Sequence, residues 1–256
     1  MTHLLEVRQL RIEIGERCLV HTLDLVLNQG ERLAILGCNG AGKSTLLLTL
    51  AGLRPAASGR VLLDGVDCHQ LAPRAAALRR AWLGQYLSDP FGSGVLETVL
   101  TGRHPHLGRW DWESGRDSEI ARGALAAVGL RNMETRQVHT LSGGERQRLN
   151  IATLLAQAAG LYLLDEPLAH LDLNHQMAVL ELFSGAARDC GAGVIMVLHD
   201  PGLAHRFCDR ALLIHNDGQT EIGTVDSILT AKNLSQLYGY PLHQVEDGGH
   251  RCFMPA

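Results

Sequence analysis

The glycine-rich run Gly37-Cys38-Asn39-Gly40-Ala41-Gly42-Lys43-Ser44 constrains this chain more than any other feature. An apolar stretch, Arg32-Leu33-Ala34-Ile35-Leu36, leads into it as a buried strand would. Ser44 to Ala51 leaves it as a helix, ended by Gly52 and Pro55. In such a loop the glycines let backbone N–H groups converge on phosphate oxygens, and the helix N-terminus adds a partial positive charge. The pattern runs through Thr45; it places Lys43 to reach β- and γ-phosphates and Ser44 to hold Mg2+.

The rest of the chain alternates in the same style. Leu5–Ile12 reads as a half-buried strand, with Gly15-Glu16-Arg17 a turn. Leu23–Leu27 is a second strand and Gly59–Asp64 a third, closed by the Asp64-Gly65 turn. Residues 73–80 and 117–130 read as helices separated by an irregular Gly/His/Trp-rich stretch over 86–116. Further on, helices over 146–157, 176–189 and 203–208 alternate with buried strands over 161–164 and 194–198. The expectation is an α/β fold: a P-loop NTPase core with a mainly parallel sheet, an N-terminal antiparallel β subdomain and a helical subdomain. The expected organisation is one domain, 1–256. Its core covers about 1–87 and 151–230, its helical subdomain about 88–150, and a short C-terminal extension about 231–256. In that extension Glu246-Asp247-Gly248-Gly249 reads as a hairpin turn.

Composition matters for what it excludes. A net charge of −4 gives no electrostatic footprint for nucleic acid, so no nucleic-acid partner is expected. No apolar run approaches the roughly 20 residues that span a bilayer, and the N-terminus lacks the pattern of a signal peptide. The expected location is the cytosol, or a membrane surface reached through a partner. The 6 cysteines form no Cys-x-x-Cys pair, which fits a reducing compartment, and the 13 histidines form no tight ligand cluster.

Two further stretches carry chemistry. Leu161-Tyr162-Leu163-Leu164 is an apolar strand that ends in Asp165-Glu166-Pro167. Asp165 at a strand end beside a P-loop is placed to position Mg2+, and Glu166 to polarise an attacking water. Leu141-Ser142-Gly143-Gly144-Glu145, followed by Arg146-Gln147-Arg148, is a glycine turn at a helix start, suited to cradling phosphate.

With these stretches in line the chain resembles the ATP-binding cassette (ABC) family. The family order is present over about 4–230: the P-loop, Gln85 at a strand end, the signature at 141–145, Asp165-Glu166, Leu171-Asp172, and His199 after the last buried strand. The resemblance implies an ATPase that uses ATP and Mg2+. It implies that Gln85 senses Mg2+ and the γ-phosphate, and that Ser142 and Gly144, with Gly143 and Glu145 in the same turn, meet the ATP of a second copy. It places Asp172 at the dimer seam, and has His199 contact the γ-phosphate and steady Glu166. Two copies would then form a head-to-tail, two-fold symmetric homodimer. Three positions depart from the family pattern. Ile14 stands where an aromatic often stacks on adenine, Cys38 where proline is common, and His170 where a small residue is usual. Ile14 predicts loose base selectivity, and bulk attached to Cys38 is expected to crowd the phosphates.

The stretch Val95 to Trp110, with Gly102-Arg103-His104-Pro105-His106, looks like that of ATPases from bacterial importers of iron-siderophore, haem and cobalamin. Molybdate or tungstate importers are also similar. The stretch follows Gln85, where the resemblance puts contact with a membrane subunit. The implied partners are two membrane permease subunits and a periplasmic or surface substrate-binding protein. The implied location is the cytoplasmic face of a bacterial inner membrane. An exporter ATPase has no use for this stretch, and neither does a soluble cassette ATPase for protein assembly. The DNA-repair type would need a coiled coil between the two glycine motifs, and no heptads stand there.

Overall fold

The computed structural model describes residues 3–84 and 92–256. In chain order, β1 (Leu5–Ile14) and β2 (Arg17–Leu27) form a hairpin; β3 (Arg32–Gly37) and α1 (Lys43–Leu50) flank the glycine loop; β4 (Ser58–Leu63) and β5 (Val66–Asp67) return to the hairpin. Then α2 (Pro73–Arg79) runs directly into β6 (Arg80–Leu83), and α3 (Val95–Leu100), α4 (Gly115–Ala127) and α5 (Gly143–Gln157) follow. The chain continues through β7 (Leu161–Leu164), α6 (Leu173–Cys190), β8 (Gly193–Val197), α7 (Pro201–Phe207) and β9 (Arg210–Ile214). It closes with β10 (Thr220–Thr224), α8 (Val225–Ile228), α9 (Ala231–Tyr238), β11 (Leu242–Asp247) and β12 (His250–Pro255).

The central sheet has the order β10-β9-β3-β8-β7-β6. Its strands are parallel except for β10, which pairs antiparallel with β9. A second, antiparallel sheet has the order β2-β1-β4-β5. The expected combination of a mainly parallel sheet, an N-terminal antiparallel sheet and a helical layer is therefore the observed one. β3 explains the layering. Leu33 and Ile35 point into an apolar core shared with α1 and the antiparallel sheet, whereas Ala34 and Leu36 join a second core with α3, α4, α5 and α6. A strand covered on both faces must be apolar, as β7, β8 and, after Arg32, β3 are. In the second core Phe183 is fully buried and meets Tyr162 edge-on at 5.4 Å. Truncating such a ring to alanine costs about 3–5 kcal/mol.

Local chemistry sets the helix ends. Ser142 caps α5, accepting from the Glu145 N–H while the Glu145 carboxylate accepts from the Ser142 N–H. Ser114 and Asp117 start α4 in the same way. α6 starts at the Asp172 cap and ends at Gly191, whose φ of 67° is left-handed.

Three differences from the sequence reading have physical causes. The stretch expected to be irregular is helical only in part: α3 is followed by a 3-10 turn over Thr101–His106, whereas 107–114 carries no helix or strand. Its many Gly, His and Pro residues hid an element held by tertiary packing rather than propensity. β9, β10 and α8 were not anticipated, although β9 is an apolar strand paired with β3. The C-terminal hairpin expected around 246–249 is present as β11 and β12, but α9 precedes it and both pack on the domain.

Candidate functional site

The strand order brings the chemistry together. β3, β8, β7 and β6 are consecutive parallel neighbours, with Ile35 opposite Val197, Leu164 opposite Met196 and Leu83 opposite Leu164. Their C-terminal ends thus stand side by side, where ligands bind in open α/β sheets. Each end carries one expected element: the glycine loop after β3, His199 after β8, and Asp165-Glu166 after β7. Gln85 follows β6 and lies outside the described residues.

A cleft of about 510 Å³ opens at this edge, lined by Asn39, Gly40, Gly42, Lys43, Ser44, Thr45, Glu166 and His199 together with Ile14, Arg17 and Leu19 of the β1–β2 hairpin. Gly42 has φ 102°, and a β-carbon there would press on Leu19, so the loop tolerates little but glycine. Gly37 and Ala41 sit beneath the loop in packing contact and do not line the cleft. Lys43 is only 6% exposed, and its ammonium donates to the carbonyls of Gly37 at 2.8 Å and Cys38 at 3.0 Å. Burial pushes its pKa below the ordinary lysine value, against the opposing pull of Glu166, Cys38 and Asp165.

Asp165 is buried beside Ser44 and does not itself line the cleft. Its N–H donates to the Leu83 carbonyl, Ser44 hydrogen-bonds to its carboxylate, and its Oδ1 has no partner among the described residues. Burial raises its pKa, partly offset by Ser44, with Glu166 raising it further. Such a buried carboxylate oxygen beside a serine hydroxyl fits a divalent cation with oxygen ligands. Glu166 Oε1 is 2.9 Å from His199 Nε2. The Glu166 backbone is left-handed, φ 49°, which costs about 1–3 kcal/mol for a non-glycine residue. It is held there by its carbonyl, which accepts from Ala169 N at 3.2 Å and from Gln147 Nε2 at 3.4 Å. Gln147, buried in α5, also donates to the Pro167 carbonyl.

The signature residues Ser142, Gly143, Gly144 and Glu145 lie at the start of α5 and do not line this cleft. Gly144 lies against the backbone of His170: a β-carbon there would be 2.9 Å from the His170 carbonyl oxygen. His170 is itself left-handed, φ 63°. Asp172 is exposed and already engaged, accepting from the His175 N–H and contacting its ring at 2.8 Å.

Two expectations are corrected. Cys38 does not point at the phosphate end of the cleft: its thiol donates to the Leu237 carbonyl in α9 at 3.2 Å, so bulk added there presses on α9 first. Gly102 and Arg103, read as part of a surface for a membrane subunit, are buried. A β-carbon at Gly102 would collide with the Thr153 carbonyl of α5, and Arg103 binds Asp117 at 2.9 Å and the Ala156 carbonyl at 2.8 Å. His106 meets the Gln157 carbonyl, and Arg74 donates to the Pro105 carbonyl. The exposed part of that stretch lies further along, at Trp110 and Trp112, which are 84% and 88% exposed. Sequence reading missed Arg17 and Leu19, which only the β1–β2 hairpin brings to the cleft. It also missed Gln147, whose signal was its place one turn after the signature. No helix among the described residues is long and apolar enough to cross a membrane.

Comparison with known proteins shows the family. The family described as ABC transporter matches residues 20–169. The chain is 40% identical over 249 residues to the hemin import ATP-binding protein HmuV of Myxococcus xanthus, covering 94% of this chain and 92% of that protein. It is 38% identical over 226 residues to the cobalamin import ATP-binding protein BtuD of Halobacterium salinarum, covering 88% of this chain but 56% of that longer protein. A solved structure described as an inward-facing metal-chelate type ABC transporter superposes with a TM-score of 0.86 at 30% identity, covering 99% of this chain and 98% of that one.

Proposed function

Because this chain belongs to the ABC transporter family, as an ATPase that acts with membrane permease partners, we propose that it drives uptake of a metal-chelate such as haem, cobalamin or an iron-siderophore. Support comes from the relatives that import hemin and cobalamin. The observation that carries the site assignment is the contact of 2.9 Å between His199 and Glu166 at the mouth of the glycine-loop cleft.

In this reading the triphosphate lies along the loop, with N–H groups from Asn39 to Thr45 donating to it. Lys43 turns its ammonium from two neutral carbonyls to the phosphates, which offset the burial that depresses its pKa. Ser44 and Asp165 would hold Mg2+, which when bound neutralises charge on the phosphate oxygens. Glu166 accepts a hydrogen bond from the attacking water and takes up its proton, and His199 fixes the Glu166 carboxylate through Nε2. Gln85, which follows β6 in sequence, is the residue proposed to sense the γ-phosphate. Ile14, Arg17 and Leu19 face the base side, where an aliphatic chain gives contact area but no ring to stack.

One chain does not complete the site. Ser142 and the first-turn amides of α5 form a phosphate-binding turn outside their own cleft, so they serve the ATP of a second copy in a two-fold symmetric dimer. Asp172 then lies at the seam. The γ-phosphate bridges the copies only when they are closed, so hydrolysis releases the closed state and membrane subunits read the movement. Binding on the cytoplasmic face of an inner membrane and delivery of cargo by a separate binding protein complete the proposal.

The test is to purify the chain with whatever co-purifies from mild detergent. A many-spanning permease and a chelate-binding protein are expected, with ATP turnover that the chelate stimulates. A purely soluble partner set would overturn the importer reading. Turnover by Glu166→Gln close to that of the unmodified chain would remove Glu166 from its role.

A further inference from the structure

The segment after β10 lies beyond the residues that the family matches, and it touches the nucleotide site from behind in two places. The first is the Cys38 thiol, which donates to the carbonyl of Leu237 in the last turn of α9 at 3.2 Å. The last carbonyls of a helix have no partner within it, so this contact satisfies one of them from the glycine loop. The peptide groups on either side of Cys38 are those whose carbonyls hold Lys43. The second is α7, which begins two residues after His199. β12 packs against it closely enough that a β-carbon on Gly202 would be 3.3 Å from the Arg251 carbonyl oxygen. Asp200 caps α7 through the N–H groups of Gly202 and Leu203.

Tyr238 follows Leu237 as the last residue of α9. Its ring is largely buried, its hydroxyl has no hydrogen-bond partner among the described residues, and it is within electrostatic reach of both Cys38 and Asp200. Burial first, then those two neighbours, push its pKa up to about 12. The segment is internally braced: Ser235 accepts from the Leu242 N–H, Arg251 donates to the Asp226 carbonyl at 2.7 Å, and Ala256 N donates to the Pro241 carbonyl. Leu234 and Leu237 are buried in the same core as Ala204 and Phe207 of α7. One rigid unit therefore rests on both the loop that holds the phosphates and the helix that follows the γ-phosphate histidine.

We infer that α9 with the β11–β12 hairpin is a positioning element for ATP: the Cys38–Leu237 bond and the packing of β12 on α7 keep the glycine loop and the His199 loop in register. This rests on the ATPase site proposed above. Neither Cys38 nor Tyr238 lines the cleft. Cys38 acts through the carbonyls that hold Lys43, and β12 through α7, which follows His199.

The test uses the full-length chain and the non-hydrolysable analogue AMP-PNP. Hydrogen exchange is expected to slow over 37–45 and also over 231–239, although no residue of α9 touches the cleft. Cys38→Val removes the donor and puts two methyl groups in place of the thiol. It should abolish the effect on 231–239 and raise the KM for ATP by at least about threefold, while Cys38→Ser stays within about twofold. Tyr238→Ala, remote from the phosphates, should raise the KM in the same direction and serves if the Cys38 variant does not fold. Protection confined to 37–45, or a KM within about twofold in both Cys38→Val and Tyr238→Ala, overturns the inference and leaves the ATPase reading standing. Protection of neither segment overturns both.

Discussion

Lys43 and Arg103 lie at nearly the same depth, 6% and 7% exposed, yet their surroundings differ in kind. Arg103, in the helical layer, meets the Asp117 carboxylate and a backbone carbonyl, and Asp117 is held well below the usual carboxylate range by Ser114 first and then Arg103. Lys43, at the sheet edge, donates to two neutral carbonyls, and burial lowers its pKa. A buried charge needs a compensating charge. Arg103 finds its own within the chain, whereas in the proposed site Lys43 gains its own when a triphosphate binds. The difference separates a motif that builds the fold from one that performs chemistry, although both read as short glycine-plus-cation runs.

The largest expected effect breaks the comparison on the chemical side. Lys43→Met should lower ATP turnover by about 10²–10³-fold or more, the scale for removing a preorganised charge-stabilising group. It should not lower the melting temperature without nucleotide. Because folding depresses the Lys43 pKa, the unfolded chain binds the proton more readily, and stability rises with pH toward the ordinary lysine value. Methionine removes that dependence. A calorimetric scan with and without ATP reads both effects, and a large loss of stability without nucleotide would contradict the distinction.

Arg103→Met is the reciprocal test. It should lower the melting temperature by several degrees and leave the KM for ATP of the folded chain unchanged. The folded Asp117 pKa is depressed, so its contribution is present above the unfolded carboxylate value and is lost as pH falls through the folded one. Thermal scans from pH 7 downward should therefore show a steeper acid loss for the unmodified chain than for the variant. A changed KM with unchanged stability would return Arg103 to a functional surface.

Gln147→Leu probes the link between the two regions, since Gln147 ties α5 to the carbonyls of Glu166 and Pro167. Release of the strained Glu166 backbone should lower kcat by about tenfold with a smaller change in KM. Steady-state kinetics on the purified chain measure this. The smallest effect is expected at Ile14, which is 46% exposed at the base side. Ile14→Tyr adds a ring to stack, worth about 0.5–1.5 kcal/mol, so the KM for ATP should fall a few-fold. ATP and GTP turnover by the unmodified chain should differ by less than about tenfold.

Much of this site was legible because its parts are local. Gly37 to Thr45 and Asp165-Glu166 declare themselves through a strand, a turn and a charge within ten residues. His199 was legible only by its order in the family pattern, since a lone histidine after a strand carries no signal. What stayed hidden is what sequence distance hides. Arg17 and Leu19 reach the cleft through a hairpin, and Leu237 meets Cys38 across nearly the whole chain. Gly102-Arg103 resembled a surface motif because the sequence does not show that α5 lies against it. β9 carried a readable signal, an apolar run closed by the Asn216-Asp217-Gly218 turn as β4 is closed by Asp64-Gly65, and the sequence reading passed over it.

The composite site is the central claim, and mixing two inactive chains tests it most directly. Lys43→Ala disables its own cleft but keeps its signature turn, and Ser142→Arg does the reverse. Each alone should lack ATP turnover. Mixed in equal amounts, half the dimers contain both chains, and one of their two sites is then intact, so turnover should return to about a quarter of the unmodified rate. No recovery in mixtures shown to form mixed dimers, or full activity of Ser142→Arg alone, would contradict a site completed by the second copy.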